Sequence, residues 1–159
     1  MKGEPNHLRL LYHYTSEANL TSILKDGVLL VSRGSAGREF AAGPLRVVWL
    51  TDAMAPGSGN DHGLRSPEPR DPAQDKRGVR ITVSVSYAQH WAQWARRRRV
   101  GRRQMREIDE AGGGLSQSWW IAPHPIPAGD WVRIENLHSG EVVWPRPVGA
   151  VASTRPVVW

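Results

Sequence analysis

The sequence predicts an α+β fold, a compact mixed or antiparallel β-sheet of about six strands with two or so helices. Apolar residues alternate with polar ones in several short segments, as they do in half-buried strands. Two other segments repeat their apolar residues at helical spacing. The order of the two kinds of segment is mixed rather than strictly alternating, which is typical of the α+β class.

Length and composition indicate one globular domain. The chain has 159 residues, of which 40% are hydrophobic and 23% charged, and domains usually hold about 100–200 residues. We therefore expect a single domain over residues 1–159, with 145–159 as an extended tail. The absence of cysteine excludes disulfides, thiolate nucleophiles and Cys-ligated metals. No apolar run resembles a membrane span or a secretion signal, so we expect a cytoplasmic protein.

The first predicted elements are a strand, a helix and a second strand. Residues 8–14 are apolar with β character. Thr15 or Ser16 can cap the helix that follows, and Gly27 can end it in the left-handed conformation. Residues 28–31 are then expected to form a buried strand. Three apolar side chains share one face of this helix: Leu20, Ile23 and Leu24.

The central part of the chain predicts two strands separated by loops. Residues 32–44 contain three glycines and are expected to form a loop, whereas β-branched and aromatic residues over 46–51 favour a strand. Residues 52–77 carry many Gly and Pro breaks, and irregular segments of this length are usually functional or mobile. Residues 78–87 alternate strictly, which predicts a half-buried strand.

The C-terminal half predicts a second helix and three short strands. Tyr87, Trp91 and Trp94 recur at i, i+4 and i+7, which indicates an amphipathic helix running into an arginine-rich segment. The glycines at 112–114 would end this helix. Three short strands are expected to follow, with a turn at Ser139-Gly140: residues 118–121, 131–137 and 141–144.

Most of the positive charge lies in one segment, residues 96–106, which we call the arginine segment. It holds Arg96, Arg97, Arg98, Arg99, Arg102, Arg103 and Arg106. The chain carries +6 in total and this segment +7, so the remainder carries −1. A solvated helical face explains such a run structurally. The field of seven like charges in eleven residues nevertheless favours a polyanion, and nucleic acid is the partner we expect.

A motif spans the end of the first strand and the first helix. It consists of Tyr12-His13-Tyr14-Thr15, followed by Asn19-Leu20, Ile23-Leu24, Gly27 and Leu29. This pattern resembles the opening of the ADP-ribosyltransferase fold, as found in bacterial DNA-modifying toxins, rifampin-modifying enzymes and RNA 2′-phosphotransferases. The resemblance implies that NAD is a substrate. It also implies that His13 binds the ribose beside nicotinamide, that the Tyr14 backbone holds the carboxamide, and that the Thr15 hydroxyl braces the turn.

Two further landmarks of that family have counterparts in the chain. Trp49, followed by Thr51, stands where the family has an aromatic residue that stacks on nicotinamide; a core position in a buried strand explains Trp49 equally well. The family's catalytic Glu lies at the start of a later strand, where this chain has Gln117 or Ser118. A glutamine can hydrogen-bond the ribose 2′-hydroxyl, but it cannot act as a general base.

Other candidate residues carry weaker signals. Arg33 and Arg38, in a glycine-containing loop, are candidates for contacts with the NAD diphosphate. Glu135 and Glu141 can supply the missing carboxylate only if the strand register differs from the family's. A solvent-facing strand position is the simpler interpretation of both. No histidine has metal-ligand spacing with carboxylates, so we expect no metal.

Together these residues favour NAD-dependent ADP-ribosyl transfer to an unknown acceptor, with nucleic acid favoured, in a bacterial toxin or defence protein. Two alternatives stay open. An RNA 2′-phosphotransferase-like enzyme would use NAD to accept phosphate from RNA, and would need Arg and His residues around that phosphate. A non-catalytic module that binds nucleic acid or nucleotide is supported by the missing carboxylate.

Overall fold

The computed structural model of the protein describes residues 8–31, 46–54, 70–111 and 116–145. Its strands are β1 Arg9–Thr15, β2 Val28–Leu29, β3 Val48–Thr51, β4 Val79–Val85, β5 Gln89–His90, β6 Trp119–Ala122, β7 Ile126–Pro127, β8 Trp131–Asn136 and β9 Val142–Trp144. Its α-helices are α1 Glu17–Asp26, α2 Trp91–Arg97 and α3 Arg102–Ala111. Short 3₁₀ turns occupy Pro72–Gln74, Ser116–Ser118 and Ala128–Asp130.

The strands form one large antiparallel sheet and a small ribbon. Seven strands lie in the order β5-β6-β3-β1-β4-β8-β9, and β2 pairs with β7 separately. All the strand pairs in the described residues are antiparallel. The predicted α+β class is therefore confirmed. The described residues form nine strands rather than about six, because the two-residue strands β5 and β7 are too short for periodicity to reveal.

The central strand β1 is joined unequally to its two neighbours. It pairs with β4 along its whole length, from Arg9 opposite Val85 to Thr15 opposite Val79. Its pairing with β3 is a single position, Tyr12 opposite Thr51. Strand β1 is therefore paired with β4 over its whole length, whereas its pairing with β3 ends after Tyr12.

Each face of the large sheet packs on a different layer. The α1 face bears alternate strand residues such as Leu11, Leu50 and Ile81, which are almost fully buried in one cluster with Leu20 of α1. The α2 face bears the other set. There, Trp119 and Ile121 pack against Trp91, Trp94, Ala95 and Val100 from α2 and the turn after it, with Met105 and Ile108 of α3 nearby.

Helix α1 begins and ends as its sequence predicts. The Ser16 hydroxyl accepts a hydrogen bond from the Asn19 N–H at 3.2 Å, so Ser16 is the N-cap and Thr15 is the last residue of β1. Gly27 adopts φ +65° and its N–H donates to the Ile23 carbonyl at 2.9 Å. Both ends are local in sequence, and local side-chain chemistry is sufficient to determine them.

The single helix expected from Tyr87 onward is wrong, since the structure has two helices and begins the first at Trp91. Tyr87 lies before it, with its hydroxyl donating to Asp130 Oδ2 at 2.9 Å. Helix α2 ends because Arg99 turns to φ +55°. The N–H of Val100, a buried residue, then bonds to the Ala95 carbonyl at 2.9 Å. Buried apolar contacts of the turn thus end a helix that spacing alone would continue.

The other boundaries agree with the sequence to within a few residues. The expected strand at 28–31 is shorter, with two residues in the ribbon, and Gly140 forms the predicted turn with φ +75°. The Gly112–Gly114 stop, most of the 52–77 loop and the tail beyond residue 145 lie outside the described residues. None of the described helices has the length and hydropathy needed to cross a membrane.

Candidate functional site

The clearest candidate side chain is His13, near the end of β1. Alternation along the strand puts it on the α1 face with Leu11, and it is half-buried. Its Nδ1 lies 2.8 Å from the Trp49 carbonyl oxygen of β3. Because a carbonyl oxygen can only accept, Nδ1 carries the proton and donates it. In the neutral ring, Nε2 is then left with a lone pair and acts as an acceptor.

The environment of His13 favours the neutral ring. Burial lowers the pKa of His13 below its ordinary value of 6.5, and the hydrogen bond to Trp49 opposes this shift only in part. At neutral pH the imidazole is therefore uncharged and held in one tautomer. Such a ring can accept a hydrogen bond from a hydroxyl group, but it is a weak general base.

His13 lies just after the position where the pairing between β1 and β3 ends. Beyond the single Tyr12–Thr51 pair, the bond from His13 to the Trp49 carbonyl links β1 to β3 through a side chain. The following turn is held by its own contacts, since Asn19 Nδ2 donates to Thr15 Oγ1 at 3.4 Å. His13 therefore lies beside both the end of the β1–β3 pairing and the first turn of α1.

The side chains next to His13 have other roles in the sheet. The Tyr14 ring is on the α2 side of the strand, and its hydroxyl donates to the Ala53 carbonyl at 3.0 Å. The buried Thr51 accepts at Oγ1 from the Ala53 N–H at 3.1 Å, which shapes the turn after β3. The Tyr14 side chain therefore points away from His13, and its backbone is part of the ladder between β1 and β4.

The Trp49 ring lies on the other face of the sheet from His13. It contacts Trp91, with ring centroids 5.0 Å apart, and Trp119 edge-on at 5.8 Å. Trp49 is half-buried, and these contacts are those of a residue at the edge of the α2-side core. The structure brings the Trp49 carbonyl to His13, but it does not bring the indole there.

Gln117 and Ser118 lie at the far end of β3 from Trp49. The Asp52 N–H donates to the Ser118 carbonyl at 3.1 Å, and His90 Nε2 donates to the Gln117 carbonyl at 2.7 Å. Both contacts use the backbone of the 3₁₀ turn before β6. The expected third position is thus beside Asp52, rather than beside the Trp49 carbonyl that His13 contacts.

Sequence reasoning missed a group of residues around Trp120. This half-buried indole is on the α1 face, like His13, and its Nε1 donates to Asp52 Oδ2 at 3.3 Å. The Arg9 guanidinium lies 4.7 Å from the Trp120 ring centroid, and the His90 ring meets it edge-on at 5.4 Å. The signal available in the sequence was the strand's polar end, Thr51-Asp52, together with the strand alternation of Trp119 and Trp120.

Strand spacing relates this group to His13. Leu50 pairs with Trp120 and, in the register set by the Tyr12–Thr51 pair, lies opposite His13. At about 4.8 Å per strand, the Cα atoms of His13 and Trp120 are about 10 Å apart. The Cα of Asp52 is about 8 Å from that of His13 on the same geometry. Leu50 is fully buried, so the described residues place these groups on one face without an open cleft between them.

Glu135 and Glu141, the two carboxylates considered as substitutes for the family's catalytic Glu, lie in or beside the strands β8 and β9. Glu135 is on the α2 face and pairs with Arg80 Nη2 at 2.6 Å and Arg133 Nη2 at 2.9 Å. Burial is the largest single influence on the pKa of Arg80 and lowers it, but the Glu135 carboxylate and the hydrogen bond that the guanidinium donates to the Tyr14 hydroxyl together raise this pKa above its ordinary value. Glu141 is exposed at the turn between β8 and β9. Glu135 therefore does not lie on the His13 face.

The arginine segment forms the corner between α2 and α3. All seven of its arginines are exposed, while Trp94, Ala95 and Val100 anchor the corner to the α2 face. The segment therefore projects from the layer opposite His13. Arg33 and Arg38 lie outside the described residues. Among the residues that are described, no group of three or more His, Asp or Glu side chains has an arrangement that could hold a metal ion.

Comparison of the chain with models of known families, with curated proteins and with solved structures gave no significant match.

Proposed function

We propose that this protein is an NAD-dependent ADP-ribosyltransferase whose reaction centre includes His13. The observation that carries the proposal is the hydrogen bond from His13 Nδ1 to the Trp49 carbonyl. It fixes a neutral tautomer with Nε2 as acceptor, beside the Thr15–Ser16 turn. A ribose hydroxyl needs such an acceptor, and the resemblance assigns the carboxamide of nicotinamide to the adjacent Tyr14.

The proposed reaction breaks the bond between the nicotinamide nitrogen and C1′ of the ribose. The electron pair of that bond moves to the pyridinium ring, and nicotinamide leaves as a neutral molecule. An oxygen or nitrogen of the acceptor forms the new bond to C1′ and loses its proton to solvent. Because positive charge develops on the ribose ring, fixed acceptors such as His13 Nε2 act by holding its hydroxyl groups in place.

A carboxylate would stabilise that developing charge further. Gln117 and Ser118 cannot supply one, whereas Asp52 is exposed on the His13 face and is oriented by the Trp120 indole. We therefore include Asp52 in the proposed reaction centre, with Gln117 as a hydrogen-bonding residue beside it. The arginine segment stands over the opposite face of the sheet from His13, so nucleic acid and protein are both kept as candidate acceptors.

The test is release of nicotinamide from NAD, with nucleic acid and protein extract present as acceptors. His13→Asn keeps an N–H donor at the position of Nδ1 but removes Nε2, and His13→Gln keeps a polar atom near Nε2. We expect His13→Asn to lower the rate by about 10²–10³-fold, as loss of a preorganised polar group does, and His13→Gln to retain more activity. Urea unfolding of both variants controls for folding. No release by the wild type, or equal rates in His13→Asn, would refute the proposal.

One observation favours an RNA 2′-phosphotransferase-like reaction as a second candidate. Arg9 and His90 flank Trp120 on the same face as His13, and such a reaction requires basic groups around a phosphate. Incubation with NAD and a 2′-phosphorylated oligonucleotide distinguishes the two reactions. Loss of phosphate from the RNA would favour this candidate, whereas nicotinamide release without that substrate favours simple transfer. A protein that does neither is a binding module.

A further inference from the structure

The arginine segment has properties that packing does not require. Its seven guanidinium groups are exposed in the corner between α2 and α3. Among the described residues, one of them has a carboxylate within ion-pair distance: Arg103, whose Nε lies 3.3 Å from Glu107 Oε1. One other has a ring partner, Arg98, which lies 5.8 Å from the Trp94 ring centroid. The corner therefore presents a dense positive surface that is barely neutralised.

The corner also contains residues that are unfavourable for the backbone conformation or the helix end that they occupy. Arg99 adopts φ +55°, a conformation that is unfavourable for an L-residue and usually selects glycine. Helix α3 begins with Arg102 and Arg103 and has no acidic residue in its first turn. A cation at a helix N-terminus is unfavourable because it faces the positive end of the helix dipole. Cations thus occupy positions where stability alone would select glycine or an acid.

We propose that the arginine segment binds the phosphate backbone of a nucleic acid, on the opposite side of the sheet from His13. Guanidinium groups pair with phosphate oxygens in a bidentate manner, and a polyanion relieves the repulsion among them. The N-terminal end of α3 adds the partial positive charge of the helix dipole at the same corner.

A membrane surface fits this corner less well than a nucleic acid does. Helices that bind membranes combine basic residues with exposed large apolar side chains that enter the lipid. The large apolar side chains exposed in the described part of the chain lie elsewhere: Leu8, Leu10, Leu24, Leu30, Met54 and Val132. The tryptophans of α2 are buried in the core. The corner therefore offers charge without an apolar anchor.

The salt dependence of binding tests the proposal. Each phosphate contact contributes about 0.9 to the slope of log K against log salt for duplex DNA, and about 0.7 for single strands. The probes are a labelled duplex and a labelled single strand, each of about 20 nucleotides, followed by fluorescence anisotropy. The variant R96Q/R97Q/R99Q keeps the aliphatic stems and spares Arg98. We expect it to lower the slope by about 2–3 on the probe that the wild type binds.

A matched control removes the same charge elsewhere. The variant K25Q/R70Q/K76Q replaces three exposed cations outside the segment. We expect the slope of log K against log salt to change in this variant by less than the contribution of one phosphate contact, about 0.7–0.9. An equal loss of slope in both variants would show general attraction and overturn the proposal. So would no binding of either probe by the wild type, or corner-dependent binding to phosphatidylserine vesicles without binding to nucleic acid.

The proposal is independent of the transferase chemistry. His13→Asn should leave the salt slope unchanged, because His13 is on the α1 face and the arginine segment stands over the α2 face. The triple variant R96Q/R97Q/R99Q should leave release of nicotinamide to water unchanged. A protein that binds nucleic acid through the corner but releases no nicotinamide would support this inference and refute the proposed function.

Discussion

Replacing Arg99 with glycine should make the protein more stable. Arg99 ends α2 with φ +55°, and Val100 N–H completes the cap by bonding to Ala95 O at 2.9 Å. Glycine adopts this conformation without the cost of about 1–2 kcal/mol that a Cβ imposes. Part of that gain is offset because glycine has more conformational freedom to lose on folding, by about 0.5–1 kcal/mol. We expect a net stabilisation of about 0.5–1 kcal/mol.

The matched control for Arg99→Gly is Arg97→Gly, which removes the same side chain from a helical position two residues earlier. Arg97 is also exposed, and it lies in the last turn of α2. Glycine in a helix costs about 1 kcal/mol relative to a good helix former, so Arg97→Gly should destabilise the protein although it removes the same charge.

Thermal and urea unfolding of the two glycine variants measure this difference. In a chain of this size 1 kcal/mol corresponds to about 2–4 °C in Tm, so Arg99→Gly should melt a few degrees above Arg97→Gly. If Arg99→Gly is no more stable than the wild type, or if both variants change stability in the same direction, then the positive φ of Arg99 does not lower the stability of the protein. Arg99→Ala, which keeps a Cβ in the same conformation, should gain less than Arg99→Gly.

Three further predictions concern the sheet and its α1 face. Burial lowers the pKa of His13, so as the pH falls the unfolded chain takes up a proton at this histidine, near pH 6.5, before the folded protein does. The free energy of unfolding of the wild type should therefore decrease between about pH 7.5 and 5. Urea titrations should show a weaker decrease in His13→Asn. Glu135→Gln should cost about 1–3 kcal/mol in unfolding free energy, since it leaves the largely buried Arg80 without its carboxylate; an unchanged urea midpoint would contradict this. Asp52→Asn should lower nicotinamide release by about 10²-fold with little change in Tm, and Glu141→Gln should not; equal rates in these two variants would exclude Asp52 from the reaction centre.

Much of the fold could be predicted because its signals are local. The strict alternation of residues 78–87 predicted β4, and the capping residues around α1 predicted both of its ends. The prediction failed at Tyr87, whose spacing from Trp91 is helical although the chain between them is extended. Two positions four residues apart also lie on one side of a strand, so the spacing of two aromatic rings could not distinguish the two conformations.

The candidate site was predicted in part for a similar reason. His13 could be singled out from its neighbours in the chain, but its hydrogen bond to Trp49 depends on a partner 36 residues away. Trp49 and Trp120 both have apolar neighbours on either side in the sequence. These neighbours do not indicate which face of the sheet each tryptophan side chain occupies. Strand pairing assigns Trp120 to the face of His13 and Trp49 to the opposite one.

The α+β class, the ends of α1, the alternating strands and the concentration of charge in the arginine segment could all be derived from the amino-acid sequence. These features depend on periodicity, capping and composition, which act over a few residues. Three relations came from the folded chain instead: the pairing of β1 with β3 ends beside His13, Asp52 and Trp120 share the face of His13, and the arginines stand over the other face. Those relations depend on strand order and register, which arise from burial across the whole sheet rather than from any local pattern.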